Sequence, residues 1–281
     1  MITGGNYMYR IGLSSCGFEL TEENFAELSR SNISAIEISM AAEKYSSIDY
    51  KKVSELSKCY NVELWSYHLP FFPFSEIDIS SLDSRLRENA IRLYSELMQK
   101  ATDIGINKFV IHPSGEPISR GDREERIKYS MQTLDTLAEI AHGYGAVLAV
   151  EDLPRTCLGN TADEICRLVS ANDKLRVCLD TNHLLTESNV DFVHKLADRI
   201  ITLHVSDYDL VDEKHWLPGE GVINWNDLFS ALKSANYSGV WMYELGLGAP
   251  RALTRSRNLT FDDFVKNAKE IFDGKQPSKV L

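Results

Sequence analysis

Residues 147–183 read VLAVEDLPRTCLGNTADEICRLVSANDKLRVCLDTNH. The stretch opens on a short apolar run that ends in a carboxylate, Glu151. It closes on a second such run ending in Asp180, with His183 three residues further on. Neither run alternates strictly between polar and apolar, which is the pattern of a parallel strand covered on both faces. Between them Thr161 and Glu164 have the spacing of a capping box, so a helix starts there. Strand, helix and strand in this order require a right-handed crossover and a parallel sheet.

The same unit repeats outward in both directions. Downstream, IITLHV carries His204 and GVWMYE carries Glu244. Upstream come YRIGLSS from Tyr9, AIEIS from Ala35, VELWSYH from Val62 and KFVIH from Lys108, the last two ending in His68 and His112. Helix starts fall between these runs. Thr21 precedes Glu22 and Glu23, which suit the positive end of a helix dipole. Asp49 opens a second helix, and a long one spans Ser81 to Asp103 with an apolar stripe of Leu82, Leu86, Ile91, Leu93, Leu97 and Ile104. Asp122 and Glu125 form another capping-box spacing, and Asn189, Asn224 and Thr260 are the remaining N-cap candidates. Eight strands alternating with eight helices predict an α/β fold, a (β/α)8 TIM barrel. The 281 residues suit one such barrel, which takes about 250. An open doubly wound sheet is the alternative, but no GxGxxG follows the first strand. The chain reads as a single domain, 1–281, whose polar end GKQPSKVL (274–281) is expected to fray.

Composition narrows the class. Hydrophobic residues make up 43% and charged residues 25%, enough for a sizeable core in a soluble enzyme. A net charge of -11 argues against nucleic acid and anionic membrane as partners. No apolar stretch approaches the ~18 residues of a membrane span. The five cysteines are irregularly spaced without CxxC, and MITGGNYMYR has no apolar core of a signal peptide. Reduced thiols in a cytoplasmic protein are the expectation. A homo-oligomer is left open.

The chemistry lies at the strand ends. A barrel opens all its strand C-termini onto one face, so Glu151, Asp180, His204 and Glu244 should converge there. An unpaired polar group buried in such a place costs roughly 2–7 kcal/mol, and a charge costs more, unless something binds it. One divalent cation shared by all four is the economical answer. Three carboxylates and an imidazole suit Mn2+, Mg2+, Co2+ or Zn2+. His68 and His112 extend the pattern to two further strands, and His183 follows Asp180 closely enough to touch the same ligand. After His204 runs the long loop SDYDLVDEKHWLPGEGVINW, holding Asp207, Asp209, Asp212, Glu213 and His215, with Gly219 and Gly221 for a tight turn. It reads as a lid or substrate wall, with Asp209 and Asp212 simply solvated. Trp65, Phe71, Phe72 and Trp216 flank the histidines as wall candidates, and Cys157 is a lesser candidate for substrate contact. His142 and His194 sit in helical segments and are expected on the surface. Arg155 or Arg251 could recognise a phosphate.

The spaced Glu, Asp-x-x-His, His and Glu, with LPGEGVINW after the third, resemble the xylose-isomerase-like barrel superfamily, sugar phosphate isomerase/epimerase type, over nearly the whole chain. The resemblance to its ketose 3-epimerases implies metal ligation by Glu151, Asp180, His204 and Glu244. It also implies proton exchange by Glu151 and Glu244, and a substrate oxygen held by His183. Those epimerases carry a glutamate where this chain has Cys157 and an arginine where it has Leu210. The apurinic/apyrimidinic endonucleases of the superfamily bind three metals at positions matched here by His68, His112, Glu151, Asp180, His183, His204, His215 and Glu244, with Glu213 in place of an aspartate. The resemblance therefore implies a metal-dependent isomerase or epimerase of a small sugar. His68, His112, His183, His215 and Arg155 would line the substrate site. An inosose-type dehydratase, a multi-zinc endonuclease for abasic DNA and an idle binding barrel are the alternatives.

Overall fold

The computed structural model describes residues 9–250, 253 and 255–280. The first eight residues, read above for a secretion signal, and Arg251 lie outside the described residues. Strands and helices alternate without interruption. They are β1 (Ile11–Ser14), α1 (Glu22–Arg30), β2 (Ala35–Ile38), α2 (Tyr50–Tyr60), β3 (Glu63–His68), α3 (Ser84–Thr102), β4 (Lys108–Ile111) and α4 (Arg123–Gly143). Then follow β5 (Val147–Glu151), α5 (Ala162–Val169), β6 (Arg176–Asp180), α6 (Asn189–Leu196), β7 (Ile200–His204), α7 (Trp225–Ser234), β8 (Trp241–Tyr243) and α8 (Phe261–Phe272). All pairings are parallel, in the order β7-β6-β5-β4-β3-β2-β1-β8. The ring closes just past β7, where the Val205 N–H donates to the Met242 carbonyl at 2.8 Å and the Glu244 N–H to the Val205 carbonyl at 3.2 Å. This is the expected TIM barrel. Among the described residues no helix is long and apolar enough to cross a membrane.

The helix starts follow local chemistry, with some differences from the sequence reading. Thr21, Asp49, Thr161 and Asn224 each accept from a backbone N–H of the first turn, as N-caps do. The long third helix begins at Ser84, not Ser81, because Asp83 caps it by accepting from the Arg85 N–H. That leaves Leu82 exposed outside the stripe. Asp122 makes no capping bond to its helix, since its carboxylate takes the Ser119 hydroxyl. Ser188, one residue before the expected Asn189, caps α6, and Asn189 instead donates to the Thr181 carbonyl. Part of the segment expected to fray is held in place. Pro277 is buried, and the Ser278 N–H donates to Glu270 at 2.7 Å.

One buried carboxylate organises the loop after β7. Asp207 accepts from the Gly219 N–H (2.8 Å), the Tyr208 N–H (2.9 Å), the Ile223 N–H (3.2 Å) and the Trp225 indole N–H (2.9 Å). Gly221 passes so close that a Cβ there would collide with the Tyr208 carbonyl and the Asp207 carboxylate, and Gly219 holds φ +94°. The LPGEGVINW motif is therefore a clamped turn and not a free lid. Asp207→Ala should lower stability by about 3 kcal/mol or more, since it leaves several buried donors without an acceptor. Urea denaturation measures this, and a change under about 1 kcal/mol would contradict the clamp.

Candidate active site

Side chains alternate along each strand, so residues two apart share a face. Ala35 and Met242 pack together inside the barrel, as do Val110, Ala149 and Cys178, and Thr202 accepts from the Trp65 indole. Two residues beyond these, on the same face, stand Glu37, Glu244, His112, Glu151, Asp180 and His204. The top layer of the interior is thus polar almost throughout, and His68 joins it from β3.

The four expected metal ligands come together. Glu151, Asp180, His204 and Glu244 each place a donor atom within 4.8 Å of the others. Glu151 is the centre: its Oε1 lies 2.9 Å from His204 Nδ1, and its Oε2 lies 3.0 Å from His68 Nε2 and 3.2 Å from His112 Nε2. Glu244 Oε2 is 3.3 Å from His204 Nδ1. Asp180 accepts from the Asn182 N–H through Oδ1, while its buried Oδ2 has no hydrogen-bond partner among the described residues. His183 Nε2 at 3.5 Å from that oxygen is too far for a good bond. An orphaned buried carboxylate oxygen beside two further carboxylates and an imidazole has the chemistry of a cation's donor set. These residues fit a divalent ion.

The protein's own field pushes the two glutamates apart. Burial alone would raise both. For Glu151, the His204 and His112 rings outweigh burial and hold the carboxyl well below its usual range. For Glu244, burial prevails over His204, the charges of Glu151 and Asp180 add to it, and the carboxyl is raised to about 8. The surrounding side chains thus bias the two carboxyl groups in opposite directions.

His183, His215, His68, His112 and Arg155 all line one cleft of about 550 Å³ together with Glu151 and Glu244. His183 donates through Nδ1 to the Asp152 carbonyl at 2.8 Å, which turns Nε2 toward Asp180 and toward Glu213 at 3.3 Å. His215 holds φ +51°, and His183, Glu213 and His215 form a second group with donor atoms within 4.8 Å of one another. Arg155 reaches the cleft but is bound to Glu116 at 2.5 Å, Asp212 at 2.8 Å and Glu213 at 2.9 Å. Asp212 is therefore an ion-pair partner and not merely solvated. Asp209 likewise is used locally, accepting from the Val211 and Asp212 N–H groups.

Among the wall candidates, Phe71 stacks on His112 with ring centroids 4.2 Å apart and lines the cleft, whereas Phe72 packs edge-on against Phe74 and is largely exposed. Trp65 is not at this end. It lies near the start of β4, under Lys108 at 3.8 Å, because the register irregularity of β3 between Leu64 and Ser66 turns it into the lower barrel beside Ala35 and Met242. Trp216 is buried, its backbone paired with Asp207. Cys157 lines the cleft, but burial first and Glu116 second raise its thiol to about 12, which leaves it protonated and unreactive. All five cysteines are free. His142 and His194 are exposed on helices as expected.

Three site residues escaped the sequence reading. Glu37 is fully buried against His204. Asp152 accepts the Asp180 N–H at 2.8 Å, and burial drives its carboxyl well above the usual range. Glu116 holds Arg155 on the cleft wall.

Comparison with known proteins agrees with this architecture. A family model described as xylose isomerase-like TIM barrel matches residues 17–259. The crystal structure of a D-tagatose 3-epimerase-like protein superposes with a TM-score of 0.78 at 26% identity, covering 94% of this chain and 96% of that one. A probable endonuclease 4 of Finegoldia magna is 27% identical over 64% of this chain and 68% of its own length. An inosose isomerase of Bacillus subtilis is 27% identical over 64% of this chain and 70% of its own.

Proposed function

The chain belongs to the xylose isomerase-like TIM barrel family, and from that premise we propose that it is a divalent-metal-dependent isomerase or epimerase of a small sugar or sugar derivative. The observation that carries the reading is the convergence of Glu151, Asp180, His204 and Glu244, with two glutamates among the donors. These four residues would hold the ion, which when bound supplies Lewis acidity to a carbonyl oxygen and the neighbouring hydroxyl. Glu151 and Glu244 would handle the proton: one carboxylate takes it from the carbon beside the carbonyl, and the other, or the same one, returns it. His183 and His215 bind substrate oxygens across the cleft, and Phe71 excludes water from its rim. A cleft of about 550 Å³ suits a monosaccharide-sized ligand. Loss of hydroxide after the same proton abstraction would give an inosose-type dehydratase.

A second reading rests on the His183, Glu213 and His215 group and on His68 and His112 around Glu151, donor sets that fit further ions of a multi-zinc endonuclease acting on abasic DNA. Two features favour the sugar reading. Arg155 already neutralises Glu213, and it is the one arginine or lysine on the described cleft wall. The net charge of -11 repels a phosphate backbone.

Metal counting combined with two assays separates the readings. One ion per chain with turnover on a ketose, aldose or inosose panel is the expected result. Three zinc ions per chain with nicking of an abasic duplex would reverse it. His183→Ala gives an independent check. It should keep the ion and weaken substrate binding, seen as a raised KM. Complete loss of metal in that variant would instead make His183 an obligatory ligand and favour the endonuclease.

A further inference from the structure

We infer that Glu37 is the positioning residue that fixes the orientation and tautomer of His204, an inference that rests on the metal reading above. Glu37 sits on β2 at the polar layer of the barrel and is fully buried. No lysine or arginine pairs with it among the described residues. Its partners are the Ser66 hydroxyl, which donates at 2.8 Å to Oε2, and His204 Nε2, which bonds the same oxygen at 3.1 Å and lies 2.9 Å from Oε1 without hydrogen-bond geometry. The other ring nitrogen of His204, Nδ1, faces Glu151 Oε1 at 2.9 Å and Glu244 Oε2 at 3.3 Å. His204 is thus held between a donor cluster on one side and a lone carboxylate on the other.

A neutral imidazole has one N–H and one lone pair. With Nε2–H donated to Glu37, the Nδ1 lone pair is turned into the cluster, the only arrangement in which His204 can donate to a cation. The anion behind the ring also raises the basicity of Nδ1 and removes the ring's freedom to flip. Carboxylates placed in this way behind a ligand histidine typically contribute 10–100-fold in metal affinity. Ser66 in turn fixes Glu37, because its hydroxyl has no other use in this layer. Glu37 does not line the cleft, so its hydrogen-bond contact with the donor cluster runs through His204.

The test is zinc affinity by chelator competition on wild type, Glu37→Gln and Ser66→Ala. It is paired with the imidazole 15N spectrum of the zinc-loaded proteins and with melting of the chelator-treated ones. Gln keeps the shape but removes the charge, and its NH2 can donate to Nε2 and favour the wrong tautomer. We expect zinc binding 10–100-fold weaker in Glu37→Gln, a smaller loss in Ser66→Ala, and a protonated, exchange-protected Nε2 at His204 in wild type only. Melting of the chelator-treated variant should be unchanged or raised, since a buried charge has gone. Equal zinc affinity in wild type and Glu37→Gln, or a lowered melting point with unchanged affinity, would overturn the role. If Glu37→Gln does not fold, unchanged affinity in Ser66→Ala overturns it. Absence of zinc binding by wild type would bring down the metal reading itself, and this inference with it.

Discussion

Asp180→Ala should release the bound ion and abolish turnover without unfolding the protein. Asp180 ends β6 with one oxygen on the Asn182 N–H and the other, fully buried, without a hydrogen-bond partner among the described residues. Its removal therefore costs the fold one local hydrogen bond while taking a carboxylate out of a crowded set. The crowding is visible in Glu244, whose carboxyl is raised to about 8 by burial first and then by the charges of Glu151 and Asp180. The cluster loses a donor that has no alternative role. Metal retained after gel filtration should fall at least 100-fold, the upper end of what even supporting residues contribute, while the melting point of the chelator-treated protein stays or rises. His204→Ala should lose metal equally but melt lower, because it also leaves Glu37 buried without its imidazole. One ion per chain retained by Asp180→Ala would contradict the assigned ligand set.

The second large effect concerns the two glutamates. Glu151→Gln and Glu244→Gln keep a carbonyl oxygen for the ion and remove the base, so turnover should drop by about two orders of magnitude or more while some metal remains. The two variants should differ. Glu151 lies within 3.2 Å of ring nitrogens of His68, His112 and His204, so its Gln variant must turn an NH2 toward one of these rings and should bind metal less well. Glu244 has a single imidazole contact and lies partly open to the cleft, so its variant should be nearly silent in metal content and dead in turnover. In an epimerase each glutamate serves one face of the carbon. One variant then still exchanges the proton of one epimer with solvent without converting it. In a one-base isomerase, one variant loses all exchange and the other is nearly normal. Near-normal turnover in both, with metal bound, would move the base to His68, His112 or His215.

Most of this site was written in the strand ends. Ala149-Val150-Glu151, Cys178-Leu179-Asp180, Thr202-Leu203-His204 and Met242-Tyr243-Glu244 share one form: an inward residue, an outward apolar one, then an inward ionisable one. Val110-Ile111-His112 repeats it on the fourth strand. Ala35-Ile36-Glu37 does so too, yet Glu37 was passed over because Ile38 continues the apolar run and hides the charge inside it. The period-two register, not the end of the run, was the usable signal. The loop after β7 was harder to read. Its acids looked alike in sequence, but Asp207 is buried as a clamp, Glu213 faces His183, and Asp212 serves Arg155. Those distinctions come from which neighbours the barrel brings close, and no local pattern encodes them. Trp65 is a separate case: the register irregularity of β3 turns it inward one layer below the site, where Lys108 covers it, and no local pattern announces that irregularity.

Solvent deuterium exchange tests the central claim most directly. Wild-type protein loaded with Mn2+ and given a panel of ketoses, aldoses and inososes in D2O should place deuterium on the carbon beside the carbonyl of at least one substrate. A chelator should stop the exchange, and added Mn2+ should restore it. A protein that holds its ion but exchanges no proton on any of these substrates would contradict the account.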